Sequence, residues 1–473
     1  MKKGLNHSVS VEGREGDEVN VEGGLVGNSE RLIQATRGEL LHLLDGVLVS
    51  GIWNDSKWGQ RGLPTGAFGV GRGIAIQNRG RERFRPSYAL PEKHGVGGDL
   101  PFPLAMSWLS TGALKDARNM VIFPKDSDGS FATTMKKMGV LGDYFYADLD
   151  ESLYAARDLR MPIYSVDDLP SCWDRDVVNS NFAMTAGNSK RVNLLSSFAA
   201  DYEEISLLKV NVKDLVDKLR SGLFYIKLNN TENSGEGVKK CFKKVNGVNE
   251  PLSIVELTKL VEGLKQDVMV YGLNSIVAIQ PHVDGVDRNF QIFVTPDSDK
   301  IHVVTLSEQF VDENGSYQSS INSPFDIHEI DERLERVIID LADNYRSVLK
   351  AFGFVMCDYI ETAEGELKVI DPGLRPTANT ATAMAKLWLE EQTGEAVYSS
   401  LHFVKTGEFA SFASFASGVD KFMSADSLVK NGHAVLPWGY NHHQGAGLFV
   451  VATSNRDDIE GLKNDVSARI KRR

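Results

Sequence analysis

Asp358 and Asp371 are the first residues whose type and spacing could do chemistry. They lie in FVMCDYIE and ELKVIDPG, two apolar runs joined by TAEG, and this pattern predicts a β-hairpin. Side chains alternate along a strand, so both carboxylates can face one side. Two carboxylates beside a polyphosphate suit Mg2+, a hard cation that takes a few protein oxygens and completes its shell with phosphate and water. Arg375, four residues beyond Asp371, carries the charge to neutralise a phosphoryl group in transfer. Taken alone, the same pattern also describes a solvated acidic hairpin.

Lys227 is carried by the run LFYIKL, which precedes NNTENSGEG. A loop rich in Gly and Ser lets backbone N–H groups approach phosphate oxygens, and a lysine on the adjoining strand adds charge. The loop lacks GxxxxGK[ST], so it is not a Walker A loop. By itself it reads more simply as a surface hairpin loop with a snorkelling lysine. Further on, SIVAIQPHVDG predicts an apolar strand running into Gln280, Pro281, His282 and Val283, an edge whose backbone groups could read an adenine. A strand over NFQIFVTP follows, and DGVDR between the two predicts a hairpin.

The order of these features carries more than any one of them. Lys190 lies at the start of SKRVNLLSSFAADY, read as a helix; Lys227 and its loop follow. Then come the Gln280–Val283 stretch, a long helix over DERLERVIIDLADNYRSVLKAFG, and the hairpin of Asp358, Asp371 and Arg375. This succession, over roughly residues 185–395, resembles the ATP-grasp superfamily. The resemblance implies an α/β protein whose ATP-grasp fold, two α+β lobes clasping ATP, follows a pre-ATP-grasp α/β domain. It implies ATP and Mg2+ as cofactors. Lys190 and Lys227 would contact the phosphates, and Asn233, Ser234, Gly235, Glu236 and Gly237 would form the closing loop. Gln280, Pro281, His282 and Val283 would form the adenine hinge, Asp358 and Asp371 would bind the metal, and Arg375 would act with Lys227 in catalysis. One departure stands out: the family commonly has Glu-x-Asn at its second metal position, and this chain has Asp371-Pro372-Gly373. Either Asn379 substitutes, or one metal is held less fully. Within the superfamily the nearest resemblance is to peptide ligases of the pheganomycin type, on the looser motifs VIFPKDSDGS, LSEQFVDENGSYQSSINSP and HAVLPWGYNHHQGAGLFVVAT.

The rest of the chain frames these residues. At 473 residues it is long enough for several domains. A net charge of −12 argues against a nucleic-acid protein, whose affinity would come from basic residues on phosphates. It leaves room for a local cationic pocket such as the lysines at 227, 239, 240, 243 and 244. Three scattered cysteines, no apolar leader and no long apolar stretch predict a cytoplasmic protein with no membrane span. The expected layout is a leader and first helix (1–45, the helix from Ser29 to Leu44), a pre-ATP-grasp-like α/β domain (46–184), the ATP-grasp domain (185–400) and a small C-terminal domain (401–473). NMVIFP, YFYADL and MPIYSV are strand candidates in the second of these, with a helix over FATTMKKMG. GAFGVGRGIA has dinucleotide-like glycine spacing but no preceding strand. His442–His443 lack a third ligand at metal spacing.

Together these features imply a ligase that joins a carboxylate to an amine through an acyl-phosphate, releasing ADP and phosphate, with amino acids or peptides as partners. A small-molecule kinase on the same site and a non-catalytic nucleotide-binding module are the alternatives. Nothing in the sequence fixes an oligomeric state, though a homodimer is the commonest among oligomers.

Overall fold

A computed structural model describes residues 30–37, 39–40, 190–228, 238–271, 275–295, 298–311, 317–351, 353–374, 377–405, 411–418, 425–441 and 446–471, with short segments at 47–49, 73–78, 81–86, 120–124, 130, 133–134, 143–147, 163–165 and 409. The N-terminal third contributes β1 (Leu32–Gln34), β2 (Val47–Val49), β3 (Gly73–Asn78), β4 (Arg81–Pro86), β5 (Met120–Pro124), β6 (Asp143–Ala147) and β7 (Ile163–Ser165). All three strand candidates in this region are strands. With β2 they form a parallel sheet in the order β6-β5-β2-β7. The glycine-spaced segment at 66–75 leads into β3, which pairs antiparallel with β4. A dinucleotide fingerprint needs strand, turn and helix, and this hairpin is not that.

The helix expected from Ser29 to Leu44 gives way at its start to a strand. β1 lies parallel to residues Ile301–Val303 of a later strand, and Ala35 N–H donates to the Val303 carbonyl. Arg31 anchors this segment with a two-pronged hydrogen bond to Asp343. Tertiary pairing therefore overrides helical periodicity here.

The smaller lobe is an antiparallel sheet of β8 (Glu203–Ser206), β9 (Phe224–Leu228), β10 (Val238–Lys240) and β13 (Ile276–Pro281), in the order β10-β9-β13-β8. A separate hairpin joins β11 (Phe242–Val245) to β12 (Val248–Pro251). Asn246 and Gly247, both at positive φ, make the tight turn that such a short connection demands. Helices α1 (Val212–Arg220) and α2 (Ile254–Tyr271) supply Leu215, Leu219, Leu257 and Val261 to a core shared with Ile226, Val277 and Ile279. Asn211 caps α1 through Lys213 N–H. Ser253 and Glu256 form a reciprocal box at the start of α2, which Lys243 reinforces from β11.

The larger lobe is a nine-stranded sheet. It contains β14 (Val286–Val294), β15 (Ile301–Val311), β16 (Tyr317–Asn322), β17 (Gly353–Glu361), β18 (Leu367–Gly373), β19 (Tyr398–Lys405), β20 (His433–Asn441) and β21 (Ala446–Thr453), in the order β18-β17-β14-β15-β16-β19-β21-β20, with β1 on β15. Helix α3 (Glu332–Asn344) covers one face and α4 (Ala378–Thr393) the other; α5 (Phe412–Ala416), α6 (Ala425–Asn431) and α7 (Asp458–Lys471) pack around the C-terminal strands. The boundary placed at residue 400 falls inside β19, and β19–β21 extend the same sheet. The long helix expected to run to Gly353 stops at Asn344. A wide turn over Tyr345–Leu349 follows, and Lys350 enters the left-handed region.

One expected hairpin is not formed. β13 pairs only within the small-lobe sheet and β14 only within the large one, so residues 282–285 carry the chain from lobe to lobe. Gly285 sits at this crossing, where a Cβ would collide with the Glu361 carbonyl. The apolar runs on either side predicted strands correctly; local spacing could not reveal that they join different sheets.

Candidate active site

The hairpin of β17 and β18 forms as expected, and its register sets Asp358 directly opposite Asp371. Both are half-buried. Both also act on the buried Cys357 thiol, whose pKa is pushed up first by desolvation and then by these two carboxylates. Opposite the step from Asp358 to Tyr359, β18 carries one extra residue, Ile370, and bulges there, while β17 keeps its register on β14.

Asp358 does not stand alone on this face. Its Oδ1 accepts from Asn289 Nδ2 at 2.6 Å and from Gln309 Nε2 at 2.7 Å, one amide from β14 and one from β15. Asn289 Oδ1 in turn accepts from Asn379 Nδ2 at 3.1 Å; Asn379 also donates to Ser307 and accepts from Ser320. Beside this relay, Gln291 donates to Thr377 and accepts from Thr380 at the start of α4. Hydrogen bonds to an ionised carboxylate run stronger than neutral ones, so two amides on one oxygen fix Asp358 in a single pose. Asn379, the sequence candidate to replace the absent metal-binding Asn, is 4% exposed. It is engaged one step behind Asp358, supporting Asn289.

The small lobe reaches this hairpin through Lys227. The side chain is 7% exposed, and Nζ donates to the Ile370 carbonyl at 2.9 Å, one residue before Asp371. A buried ammonium needs partners of this kind. Lys227 therefore reaches the β17–β18 hairpin at the residue before Asp371, although the two belong to different sheets.

The interlobe stretch is built differently from the simple edge expected. Gln280 is buried, Pro281 exposed, and His282 and Val283 lie between these extremes. The His282 N–H is given to the Leu223 carbonyl at 2.8 Å, so any adenine contact here uses other groups of the stretch. The His282 ring lies 4.9 Å from Phe242 and 5.9 Å from Tyr225, and its Nε2 pairs with Asp284 at 3.0 Å. Burial pushes the Tyr225 hydroxyl up to about 12. Asp287, just past the crossing, is raised by desolvation and opposed by His282.

Lys190 opens the 3-10 turn Lys190–Leu195, far shorter than the helix expected there; the chain then runs as a bridge to Val369 on β18. Arg375 and the loop residues Asn233, Ser234, Gly235, Glu236 and Gly237 lie outside the described residues, as do His442 and His443.

Asn289, Gln309 and Asp287 were missed by the sequence reading. Their signal was present: in VDRNFQIFV polar Asn289 and Gln291 alternate with Phe290 and Ile292, an amphipathic strand whose polar side is buried. The donor set suits a hard cation. Asp358 and Asp371 are paired across the hairpin and offer only oxygen donors, and no group of three or more His, Cys, Asp or Glu side chains is assembled for a metal among the described residues. A Mg2+ ion would be held by these two carboxylates and complete its shell from phosphate and water.

Several solved structures are similar to this chain in fold. An ADP complex of purK, an N5-carboxyaminoimidazole ribonucleotide synthetase, is matched over 77% of this chain and 93% of its own, with a TM-score of 0.50 and 12% identity. The likeness is one of fold, and that fold is the ATP-grasp fold. Two further ATP-grasp matches score lower. One is N5-carboxyaminoimidazole synthase from Aspergillus clavatus with ADP and 5-aminoimidazole ribonucleotide (TM-score 0.49, 12% identity, 80% of this chain and 97% of that one). The other is an L-amino acid ligase from Bacillus licheniformis (TM-score 0.46, 11% identity, 78% and 94%). No family model matches the chain, and no curated protein matches it. Among the described residues no helix is long and apolar enough to cross a membrane.

Proposed function

We propose that this protein is an ATP-dependent carboxylate–amine ligase acting on amino acids or small peptides through an acyl-phosphate. The observation that supports it most is the 2.9 Å contact between Lys227 Nζ and the Ile370 carbonyl, which sets a small-lobe cation beside the acidic hairpin. Phosphoryl transfer asks little covalent chemistry of a protein; positioning and charge do the work. The cleft between the lobes offers both.

In this reading the triphosphate lies between Lys227 and the β17–β18 hairpin, with its adenine against the interlobe stretch Gln280–Val283. Bound Mg2+ would neutralise phosphate charge, held by Asp358 and Asp371. Asn289 and Gln309 keep Asp358 oriented. Lys190, Lys227 and Arg375 offset the remaining negative charge. A substrate carboxylate oxygen attacks the γ-phosphorus, the bond to the β-phosphate oxygen breaks, and ADP leaves. The amine then attacks the acyl carbon and expels inorganic phosphate, losing a proton as the amide forms. Residues 233–237 would close over the site and exclude the water that would hydrolyse the acyl-phosphate.

The test is ADP release across pairs of amino acids and dipeptides, with mass spectrometry of the products. Ligation gives a product lighter by one water than the two substrates together. A phosphorylated single substrate would instead make the protein a kinase. ATP binding without ADP release under any mixture would make it a binding module.

A further inference from the structure

The opposite face of the same strands carries a cavity of about 260 Å³. Its floor is apolar, with Leu306, Phe325 and Leu334 among its walls. Its rim is charged in both signs. Arg288 bridges Glu308 at 3.0 Å and Glu361 at 3.6 Å, while Arg333 bridges Asp331 at 2.6 Å and Glu361 at 3.7 Å. These side chains are 28–47% exposed, so the pairs are worth little to the fold and can re-pair with a ligand at small cost.

Tyr359 joins the apolar floor to the charged rim. It is 6% exposed, lines the cavity, and its hydroxyl makes no hydrogen bond to any described residue. The charges of Arg288, Glu361 and Asp331 all act on that hydroxyl, which places it at the charged rim. With no partner at the rim among the described residues, the hydroxyl can donate to a ligand carboxylate.

The chemistry of the lining selects the ligand. An anion would meet three carboxylates, a cation would meet two guanidinium groups, and an apolar molecule would leave the rim unsatisfied. A small zwitterion with an apolar tail matches all three features, and a cavity just below the usual range of about 300–1,000 Å³ limits it to amino-acid size. We propose that this cavity binds an α-amino acid with an apolar side chain, its carboxylate toward Arg288 or Arg333, its ammonium toward Glu361 or Asp331, and its side chain on the apolar floor. The site is distinct from the candidate active site. Arg288, Glu308 and Tyr359 are chain neighbours of Asn289, Gln309 and Asp358, so strand alternation sends the two sets to opposite faces.

Calorimetric titration of the full chain with L-leucine tests the proposal, with 4-methylpentanoate and 3-methylbutylamine as probes lacking the ammonium and the carboxylate. L-Leucine is expected to bind wild type and Lys227→Ala equally. Each truncated probe should bind at least tenfold more weakly. Ser323→Trp, from the loop lining the cavity, should abolish binding, and Tyr359→Phe, which keeps the ring, should weaken it about fivefold. Circular dichroism of both variants checks that they fold. Three results would overturn the proposal: no leucine binding by wild type, truncated probes binding as well as leucine, or binding that survives Ser323→Trp. Binding lost in Lys227→Ala but intact in Ser323→Trp and Tyr359→Phe would place the amino acid in the interlobe cleft and equally end it.

Discussion

The two faces of the large sheet are made by the same strands and do opposite work. Toward α3, β14 presents Phe290, Ile292 and Val294 to Val337, Ile338, Leu341 and Tyr345, all at or near zero exposure. Toward α4, the same strand presents Asn289 and Gln291, buried just as deeply and engaged in hydrogen bonds with Asp358, Asn379, Thr377 and Thr380. Burying polar groups gains little net stability even when every partner is present. The α4 face therefore holds geometry, and the α3 face holds the fold. Mutations should separate the two.

The largest effect belongs to the apolar face. Phe290→Ala removes a fully buried ring tilted against Tyr359 at 5.7 Å, and should cost about 3–5 kcal/mol of unfolding free energy, read by urea titration. Turnover per folded molecule should change less than about threefold. A loss of metal affinity matching that of the polar-face variants below would erase the distinction between the faces.

Next come the charged groups of the cleft. Asp371→Asn should lower Mg2+-dependent ADP release by about 10²–10³-fold with little change in melting temperature, read by steady-state kinetics over a magnesium series. Lys227→Ala should cost about 10²-fold in kcat/KM, a little less, because the Ile370 carbonyl it leaves behind can be hydrated from the cleft. Full activity in either variant would remove that residue from the chemistry.

Much of this was legible in the sequence, and the reasons differ by element. The β17–β18 hairpin declared itself through two apolar runs and TAEG, and the structure sets Asp358 opposite Asp371. Lys227 sat within a strand, LFYIKL, that the structure confirms as Phe224–Leu228. The partition of β13 and β14 between lobes was not legible, because pairing partners lie far along the chain and the short DGVDR link mimics a turn. β1 was hidden for the same reason: Leu32–Gln34 owes its strand state to β15, some 270 residues away, and its own propensity says little. The amide relay was half visible. Alternation in VDRNFQIFV showed a polar face, but only the fold reveals that Asn289 and Gln309 converge on one carboxylate oxygen.

That convergence gives the smallest and most discriminating prediction. Asp358 Oδ1 takes both amides, at 2.6 and 2.7 Å. Gln309→Leu removes one donor and leaves Asn289 in place, so the carboxylate keeps its charge but loses part of its orientation. Partners of this kind are typically worth about 10–100-fold in metal affinity. Mn2+ titration in the presence of ADP, followed by electron paramagnetic resonance, should show a loss near the lower end of that range. Asn289→Leu should lose more, because it also strands Asn379, which donates to Asn289 and Ser307 from the first turn of α4. Gln309→Glu would put a second carboxylate against Asp358 and should disturb Mn2+ binding with a pH dependence that Gln309→Leu lacks. If Gln309→Leu and Asn289→Leu both bind Mn2+ as wild type does, the amides are packing against the aspartate without aiming it, and the polar face of the sheet needs another explanation.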